Sequence, residues 1–212
     1  MAVAAGHPDV DGVSFTDSVA TGLEVAKLAV DIINPVHLEL GGKSPGVVFP
    51  DADLENAIRN TVAGIFVAST GQVCLASSRL LLHEDIYEEV PDHLATATEG
   101  LSVGPGVDDP DVGPLVSEAQ FEKVKRHLEA GEAAAGAPSV GGDVLDRPGY
   151  FVEPTVFEVD DWDAAVAQEE IFGPVLSVLS FADEEEAIEL TNDVDYGLVA
   201  GVFTSDIGRA HR

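Results

Sequence analysis

The stretch "PGVVFPDADLENAIRNTVAGIF", residues 45–66, decides the fold class. Its opening part, Gly46–Phe49, is short, apolar and rich in β-branched residues, which predicts a buried strand. The rest predicts a helix with Asp51 or Asp53 as its N-cap, because apolar residues recur there at helical spacing. These residues are Leu54, Ile58, Val62 and Ile65. A buried strand followed at once by such a helix is the repeating unit of a parallel α/β sheet.

The same alternation of strands and helices continues on both sides of this stretch. Further strands are predicted at residues 12–15, 79–83, 175–181 and 197–203, and helices at residues 23–32, 84–100, 117–137, 183–193 and from 205 onward. Ser117 and Gln120 stand at capping-box spacing, and Pro91 predicts a kink in its helix. The pattern favours an α/β fold with a mostly parallel sheet flanked by helices.

The chain is strongly acidic. Its 39 Asp and Glu residues outnumber 10 Lys and Arg residues, which gives a formal net charge of −29. A field of this sign repels nucleic acid and anionic membrane surfaces, so no nucleic acid and no membrane is expected as a partner. Dispersed acidic residues suit molar salt, where a Debye length of about 3 Å screens their mutual repulsion. We therefore expect a halophilic origin.

The sequence also predicts a cytoplasmic protein without a metal site. The single cysteine, Cys74, excludes an internal disulfide, and the first residues show neither the basic nor the apolar region of a signal peptide. No apolar run reaches the roughly 18 residues that span a bilayer. The histidines do not cluster at metal-ligand spacing. A phosphate-binding loop at Gly42-Lys43-Ser44 is rejected, because His37 stands where that motif requires its first glycine.

Two residues could carry chemistry, although each has a plainer interpretation. A lone cysteine such as Cys74 is more often a small core residue than a nucleophile. The small and polar residues around it favour a turn that a substrate could approach, with N–H groups that stabilise a thiolate or an oxyanion. Glu39 ends an apolar run before Gly41 and Gly42, so it is either exposed or a partly buried general base.

Taken together, these segments resemble the NAD(P)-dependent aldehyde dehydrogenase superfamily. "LELGGKSP" (residues 38–45) resembles the glutamate signature of that family, and "GQVCLASSR" (residues 71–79) resembles its cysteine signature. Six further segments resemble family landmarks in the same order, so the resemblance covers nearly the whole chain. They are "DADLENA", "DIYEEV", "VGPLVS", "GYFVEPTV", "EEIFGPVLSV" and "NDVDYGLVAGVFT".

The resemblance implies an oxidoreductase that converts an aldehyde to a carboxylic acid with NAD or NADP. It implies that Cys74 attacks the aldehyde as a thiolate to give a thiohemiacetal, which hydride transfer turns into a thioester. It also implies that Glu39 activates the water that hydrolyses this thioester. The family positions beside the cofactor correspond in this chain to Thr16, Ser18, Leu40, Glu170 and Phe172.

The resemblance further implies a domain organisation. Residues 1–36 are expected to be the C-terminal remnant of a Rossmann-like cofactor-binding domain, and residues 37–212 a catalytic domain that is incomplete at its C-terminus. Asp17 replaces the glycine of the family's F-T-G-S loop, and Ser69 replaces an asparagine ahead of the cysteine. The partners expected are a small-molecule aldehyde, further copies of the chain, the missing domain or an intact paralogue.

Two alternatives stay open at this point. The chain could be a non-catalytic remnant of a truncated or split aldehyde dehydrogenase gene, which at most associates with full-length relatives. It could also be a cofactor-free thiol hydrolase, in which Cys74 and Glu39 cleave an activated ester without hydride transfer. Reduction of NAD or NADP that depends on an aldehyde distinguishes the dehydrogenase from both.

Overall fold

The computed structural model describes residues 2–212 and shows two compact units, Met1–Gly41 and Gly42–Arg212. The first unit contains helix α1 (Ala2–Ala5), strand β1 (Val13–Thr16), helix α2 (Val19–Val30) and strand β2 (Val36–Glu39). β1 and β2 pair in parallel, which places Thr16 opposite Glu39 at their carboxyl ends. Ser18 begins α2, because its side chain accepts a hydrogen bond from the backbone N–H of Thr21.

The division between the units lies after Gly41, whereas sequence analysis places a domain boundary after Val36. The later division follows from the pairing of β2 with β1, which makes residues 36–39 part of the first sheet. The identity of the first unit as the remnant of a cofactor-binding domain, and of the second as the catalytic domain, stays a prediction.

The second unit is built on a five-stranded sheet in which every strand pair is parallel, in the order β5-β6-β4-β3-β7. Its elements are β3 (Pro45–Val48), α3 (Leu54–Val62), β4 (Arg79–His83), α4 (Glu84–Tyr87), α5 (Val90–Glu99), α6 (Glu118–Ala135), β5 (Thr155–Glu158), α7 (Ala165–Gln168), β6 (Val175–Phe181), α8 (Glu184–Asn192), β7 (Gly201–Phe203) and α9 (Ile207–Ala210). The predicted α/β class, with a parallel sheet flanked by helices, is confirmed.

Successive residues of the central strands enter two separate apolar cores, because strand side chains alternate between the faces of a sheet. Val47 of β3 and Leu81 of β4 belong to one core. Their neighbours Val48, Leu80 and Leu82 belong to the other. All five are buried, as expected for a parallel sheet that is covered on both faces.

Several elements differ from the sequence prediction. The helix predicted over residues 84–100 is two helices, α4 and α5. Pro91 lies in the first turn of α5, where a backbone N–H would have no acceptor within the helix, so proline costs no hydrogen bond there. β7 begins at Gly201 rather than at residue 197, because its pairing with β3 covers only Gly201–Phe203. Strand β5 and helix α7 have no counterpart in the sequence prediction.

Candidate active site

The chain makes a strained turn just before Cys74. After α3 it widens into a π-helical turn, Ala63–Val67, and then tightens into a 3-10 turn, Ala68–Gly71. Within the second turn Ser69, Thr70 and Gly71 have φ angles of 51°, 59° and 71°. Left-handed backbone of this kind costs roughly 1–3 kcal/mol at a residue that is not glycine, so surrounding contacts must hold it.

Two side chains fasten this turn to the segment that precedes α6. The hydroxyl of Thr70 accepts a hydrogen bond from the N–H of Gly113 at 3.1 Å and lies 3.3 Å from its carbonyl oxygen, to which it donates. The amide of Gln72 accepts from the N–H of Val116 at 2.8 Å and donates to the carbonyl of Ser69 at 3.1 Å. The "VGPLVS" landmark is thus the support of the cysteine loop.

Cys74 lies in a tight turn that the N–H of Ala76 closes by donating to the carbonyl of Val73 at 3.0 Å. It is a free, half-buried cysteine, and its neighbour Leu75 is 55% exposed. The backbone of Cys74 packs directly on Gly42, since a Cβ atom at Gly42 would lie only 2.7 Å from the carbonyl oxygen of Cys74. The second glycine of "LELGGKSP" is therefore required by close approach to the cysteine turn.

Glu170 is bound to the same glycine. The N–H of Gly42 donates a hydrogen bond to Oε1 of Glu170 at 3.0 Å, and the second carboxylate oxygen of Glu170 makes no hydrogen bond within residues 2–212. Glu170 itself is half-buried. The turn of Cys74, Gly42 and Glu170 therefore form one contiguous cluster in the second unit.

The backbone of Phe172 is also held in a left-handed conformation, with φ of 58°. The amide nitrogen of Gln120 donates to the carbonyls of Ile171 and Phe172, each at 2.8 Å. Immediately after, Gly173 packs against Gly71 so closely that a Cβ atom at Gly71 would lie 2.2 Å from the Gly173 carbonyl oxygen. The loop that presents Glu170 and Phe172 is thus fixed to α6 and to the cysteine loop.

Lys43 is directed into the protein and not toward a phosphate. Its Nζ donates to the carbonyl of Val166 at 2.8 Å, and the residue is 1% exposed. Burial lowers the pKa of Lys43 to about 7; the charge of Arg79 lowers it too, while the carboxylates of Glu170 and Glu169 act in the opposite direction. Its buried position agrees with the rejection of a phosphate-binding loop from the sequence.

The remaining predicted site residues belong to the first unit. Glu39 ends β2 with an exposed carboxylate whose Oε1 lies 3.0 Å from Nε2 of His37. The Glu39 side chain is therefore exposed rather than partly buried, and its role as a general base stays a prediction. Leu40 is half-buried and covers Gly22 of α2, where a Cβ atom would lie 2.5 Å from its side chain. Thr16, at the end of β1, is exposed.

Asp17 and Ser18 form the start of α2. Oδ1 of Asp17 accepts the backbone N–H of Ser18 at 2.6 Å, and this hydrogen bond lowers the pKa of Asp17, with a side-chain hydrogen bond from Ser18 adding to it. The Ser18 hydroxyl lies 2.9 Å from that of Thr21. Asp17 is therefore ionised at neutral pH, and its carboxylate satisfies one N–H donor of the loop itself.

The structure thus brings Cys74, Glu170 and Phe172 together in the second unit, and it places the other predicted residues in the first. Sequence analysis missed three side chains that hold the site: Thr70, Gln72 and Gln120. Gln120 was assigned a capping role only. Ser117 does cap α6 by accepting the N–H of Gln120, but the Gln120 side chain reaches the loop of Phe172 instead of returning to Ser117.

The described residues contain neither a cluster of metal ligands nor a membrane-spanning helix. Among residues 2–212, no three histidine, cysteine, aspartate or glutamate side chains come together as a metal site. Over the same residues, no helix combines the length and the apolar character that crossing a bilayer requires.

The family model and the relatives that the chain matches belong to one protein family. The chain matches the model of the aldehyde dehydrogenase family over residues 2–212. It is 45% identical over 210 residues to a betaine aldehyde dehydrogenase of Rhizobium leguminosarum bv. trifolii, covering 97% of this chain and 43% of that protein. It is 44% identical over 212 residues to a hydroxyisobutyraldehyde dehydrogenase of Mycolicibacterium austroafricanum, covering 99% of this chain and 42% of that protein.

A solved structure agrees with these relatives. The NAD+ complex of the aldehyde dehydrogenase from Bacillus cereus matches with a TM-score of 0.94 at 42% identity, covering 98% of this chain and 42% of that one. The chain therefore belongs to the aldehyde dehydrogenase family, and the resemblance read from its motifs is confirmed. It spans less than half the length of the relatives it matches.

Proposed function

We propose that the protein oxidises an aldehyde to a carboxylic acid with NAD or NADP, with Cys74 as the nucleophile and Glu39 as the general base. The observation that carries the proposal is the cluster of the second unit. Gly42 contacts the Cys74 carbonyl on one side and the Glu170 carboxylate on the other. A nucleophile candidate and a cofactor-binding candidate thus share one backbone contact.

The residues of the chain suit each step of this chemistry. The Cys74 thiolate would add to the aldehyde carbon, and the backbone N–H of Cys74 would stabilise the resulting oxyanion. Bound NAD or NADP supplies a hydride acceptor, and loss of hydride converts the thiohemiacetal on Cys74 to a thioester. Glu39 would take a proton from water, whose oxygen attacks the thioester carbon. Cleavage of the C–S bond then releases the acid and restores the Cys74 thiolate.

The exposure of Glu39 fits the role of a base that acts on solvent water. The side chain of Glu39 is 49% exposed, and its neighbour His37, also exposed, lies within hydrogen-bond distance. Cys74 is half-buried in a turn, which fits a thiol that must meet a substrate without free access to bulk water. These two environments favour a nucleophile and a base with separate tasks.

The chain's polar groups fit the nicotinamide half of the cofactor better than its phosphates. The free oxygen of Glu170 suits a ribose hydroxyl, and Phe172 suits contact with a planar ring. Thr16 and Ser18 flank Asp17 in the chain, and the ionised form of the Asp17 carboxylate disfavours a phosphate at that loop. We accordingly assign these residues and Leu40 to the uncharged end of NAD or NADP.

The wider setting is part of the same proposal. We infer that residues 1–36 contribute to cofactor binding and that residues 37–212 carry the catalytic cysteine. The substrate class is a small-molecule aldehyde, and the cellular setting is a cytoplasm rich in salt. The chain would associate with further copies of itself or with a full-length relative.

The decisive experiment combines cofactor reduction with mass spectrometry of the intact protein in concentrated KCl. The wild-type chain should reduce NAD or NADP when an aldehyde is added, and Glu39→Gln should accumulate an acyl group on Cys74 because hydrolysis is slowed. Cys74→Ser should lose both signals. Glu24→Gln, an exposed glutamate in the same unit, is the matched control and should behave as wild type.

The outcomes separate the proposal from its alternatives. Ester hydrolysis that needs Cys74 but no cofactor would indicate the thiol hydrolase. A folded chain that forms no acyl adduct on Cys74 with any aldehyde tested, yet co-purifies with a full-length aldehyde dehydrogenase, would contradict the proposal. That result would favour the non-catalytic remnant that associates with its relatives.

A further inference from the structure

We propose that Thr70 is a positioning residue for Cys74: its hydroxyl, bound to both backbone groups of Gly113, holds the left-handed turn that sets the nucleophile in place. The inference rests on the proposed function for the role of Cys74. The geometry on which it stands is independent of that role, because it concerns only where the cysteine turn is held.

The backbone of the turn before Cys74 is strained. Threonine is β-branched, and a left-handed conformation is a genuine outlier for such a residue. Thr70 has φ of 59° and stands between Ser69 at 51° and Gly71 at 71°. Three consecutive left-handed residues do not persist without contacts that compensate them. The turn therefore needs an anchor.

The hydroxyl of Thr70 anchors the turn to Gly113. The Thr70 hydroxyl accepts from the Gly113 N–H at 3.1 Å and donates to the Gly113 carbonyl at 3.3 Å, so one side chain satisfies both groups of one residue. Thr70 is 4% exposed, which shields these hydrogen bonds from water. The loss of such a buried hydrogen bond is costly, because water does not reach the groups that are left without a partner.

The segment that contains Gly113 is itself held by buried side chains. Gly113 lies between Val112, which is 0% exposed, and Leu115, which is 3% exposed. Val112 belongs to one apolar core of the second unit and Leu115 to the other. A segment fixed in both cores cannot follow the cysteine loop if that loop moves. Thr70 therefore fixes the turn before Cys74 relative to both apolar cores.

A second tether acts in parallel but is weaker. Gln72 accepts from the N–H of Val116 and donates to the carbonyl of Ser69, yet both Gln72 contacts are at exposed positions. Exposed hydrogen bonds exchange with water at small net cost. The buried contact of Thr70 is accordingly the one whose loss should release the turn.

The chain carries one cysteine, so any thiol-modification rate reports on Cys74 alone. We would measure alkylation by iodoacetamide across the titration of the thiol in wild type, Thr70→Val and Thr70→Ser. Valine keeps the shape and branching of threonine without the hydroxyl, whereas serine keeps the hydroxyl. Thr70→Val should raise the limiting alkylation rate by about fivefold, because the released turn opens more often. Thr70→Ser should restore a rate within about twofold of wild type.

The matched control is Thr98→Val. Thr98 is 2% exposed, and its hydroxyl donates to the carbonyl of Leu94 within α5, so the substitution removes one buried hydrogen bond elsewhere. It should lower global stability by a similar amount and leave the alkylation rate unchanged. Equal rates in Thr70→Val, Thr98→Val and wild type would overturn the proposal. Should Thr70→Val fail to fold, Thr70→Ala removes the same hydroxyl without the branched side chain, and an unchanged rate there would overturn the proposal too.

The readout also separates this inference from the proposed function. A raised alkylation rate in Thr70→Val supports the positioning role even in a chain that oxidises no aldehyde. Where oxidation is measured, Thr70→Val should lower kcat while KM for the aldehyde stays within about twofold, because the substitution moves the nucleophile without touching the substrate.

Discussion

The Glu170 carboxylate accepts a hydrogen bond from the backbone N–H of Gly42 at 3.0 Å, and Gly42 packs on the carbonyl of Cys74. Because glycine has no side chain, the loop that carries Glu170 and the turn that carries the cysteine meet through a single backbone unit. A change at Glu170 should therefore affect both the stability of the second unit and the surroundings of Cys74.

Glu170→Ala should lower the free energy of unfolding by about 1–3 kcal/mol, because it leaves the buried Gly42 N–H without a partner. Glu170→Gln keeps an oxygen acceptor at the same distance and should lose less than about 1 kcal/mol. Urea titration at fixed KCl measures both values. Equal losses in the two variants would show that the hydrogen bond to Gly42 contributes nothing to stability.

Because of Lys43, the free energy of unfolding should rise with pH between about 7 and 10.5. Burial lowers the pKa of Lys43 to about 7 in the folded chain, against an ordinary value of 10.5. Between these two pH values the unfolded chain binds more protons than the folded chain, so stability rises as the pH increases. Below about pH 7 the charged lysine is buried and its full cost is present, which is on the order of a few kcal/mol.

Lys43→Met should remove this dependence. The variant should be more stable than wild type near neutral pH and should lose its advantage toward the upper end of the window, where wild-type Lys43 is neutral and keeps its hydrogen bond to Val166. Thermal unfolding as a function of pH measures the difference. Lys27→Met replaces an exposed lysine and should leave the pH profile unchanged. A wild-type profile as flat as that of Lys43→Met would contradict the assignment.

The sequence predicts those parts of the fold that depend on local periodicity. The strands at residues 79–83 and 175–181 lie where the apolar pattern places them. Asp53 caps α3 as one of two candidates, and Ser117 caps α6, since both caps depend on residues three positions apart. Such signals span only a few neighbouring residues, so they can be recognised without knowledge of contacts between distant segments.

The parts that the sequence does not predict depend on contacts between distant segments. Nothing in "STGQ" indicates three left-handed residues in a row, because serine and threonine rarely adopt that backbone. The contact of Gln120 with the Phe172 loop spans 52 positions, and the Thr70 contact with Gly113 spans 43. Asp51, the other N-cap candidate, instead binds the hydroxyls of Thr204 and Ser205.

Gly71→Ala should be strongly destabilising. Gly71 has φ of 71°, and a Cβ atom there would lie 2.2 Å from the Gly173 carbonyl oxygen and 2.7 Å from that of Ile65. Because all of these atoms belong to the backbone, the cysteine loop must move, and we expect a loss of about 4 kcal/mol or more. Calorimetry or urea titration measures it.

Gly64→Ala is the control for this substitution. Gly64 lies in the preceding helical turn, and a Cβ atom there meets nothing within 4 Å. Alanine should be neutral or stabilising by up to about 1 kcal/mol, because it restricts the unfolded chain and suits helical backbone. Similar losses for the two glycines would mean that the close packing of Gly71 on Gly173 is not what requires glycine.

Salt should stabilise the protein through its acidic surface. With a net charge of −29, self-repulsion destabilises the compact state, and raising KCl from about 0.1 M to about 3 M shortens the screening length below the spacing of surface charges. The midpoint of thermal unfolding should rise across that range. Because concentrated salt also strengthens apolar burial, a variant of altered charge is needed to separate the two effects.

Glu88→Lys combined with Glu89→Lys provides that variant, since both glutamates are exposed. Each reversal adds two charges, so the net charge becomes −29 + 4 = −25. If repulsion is the cause, the double variant should unfold at a higher temperature than wild type in low salt, and its unfolding temperature should rise less with KCl. The unfolding temperatures of the two chains should converge near about 3 M KCl, because a Debye length below about 3 Å screens the repulsion in both. Parallel curves, offset equally at every salt concentration, would assign the salt effect to apolar burial and count against a halophilic origin.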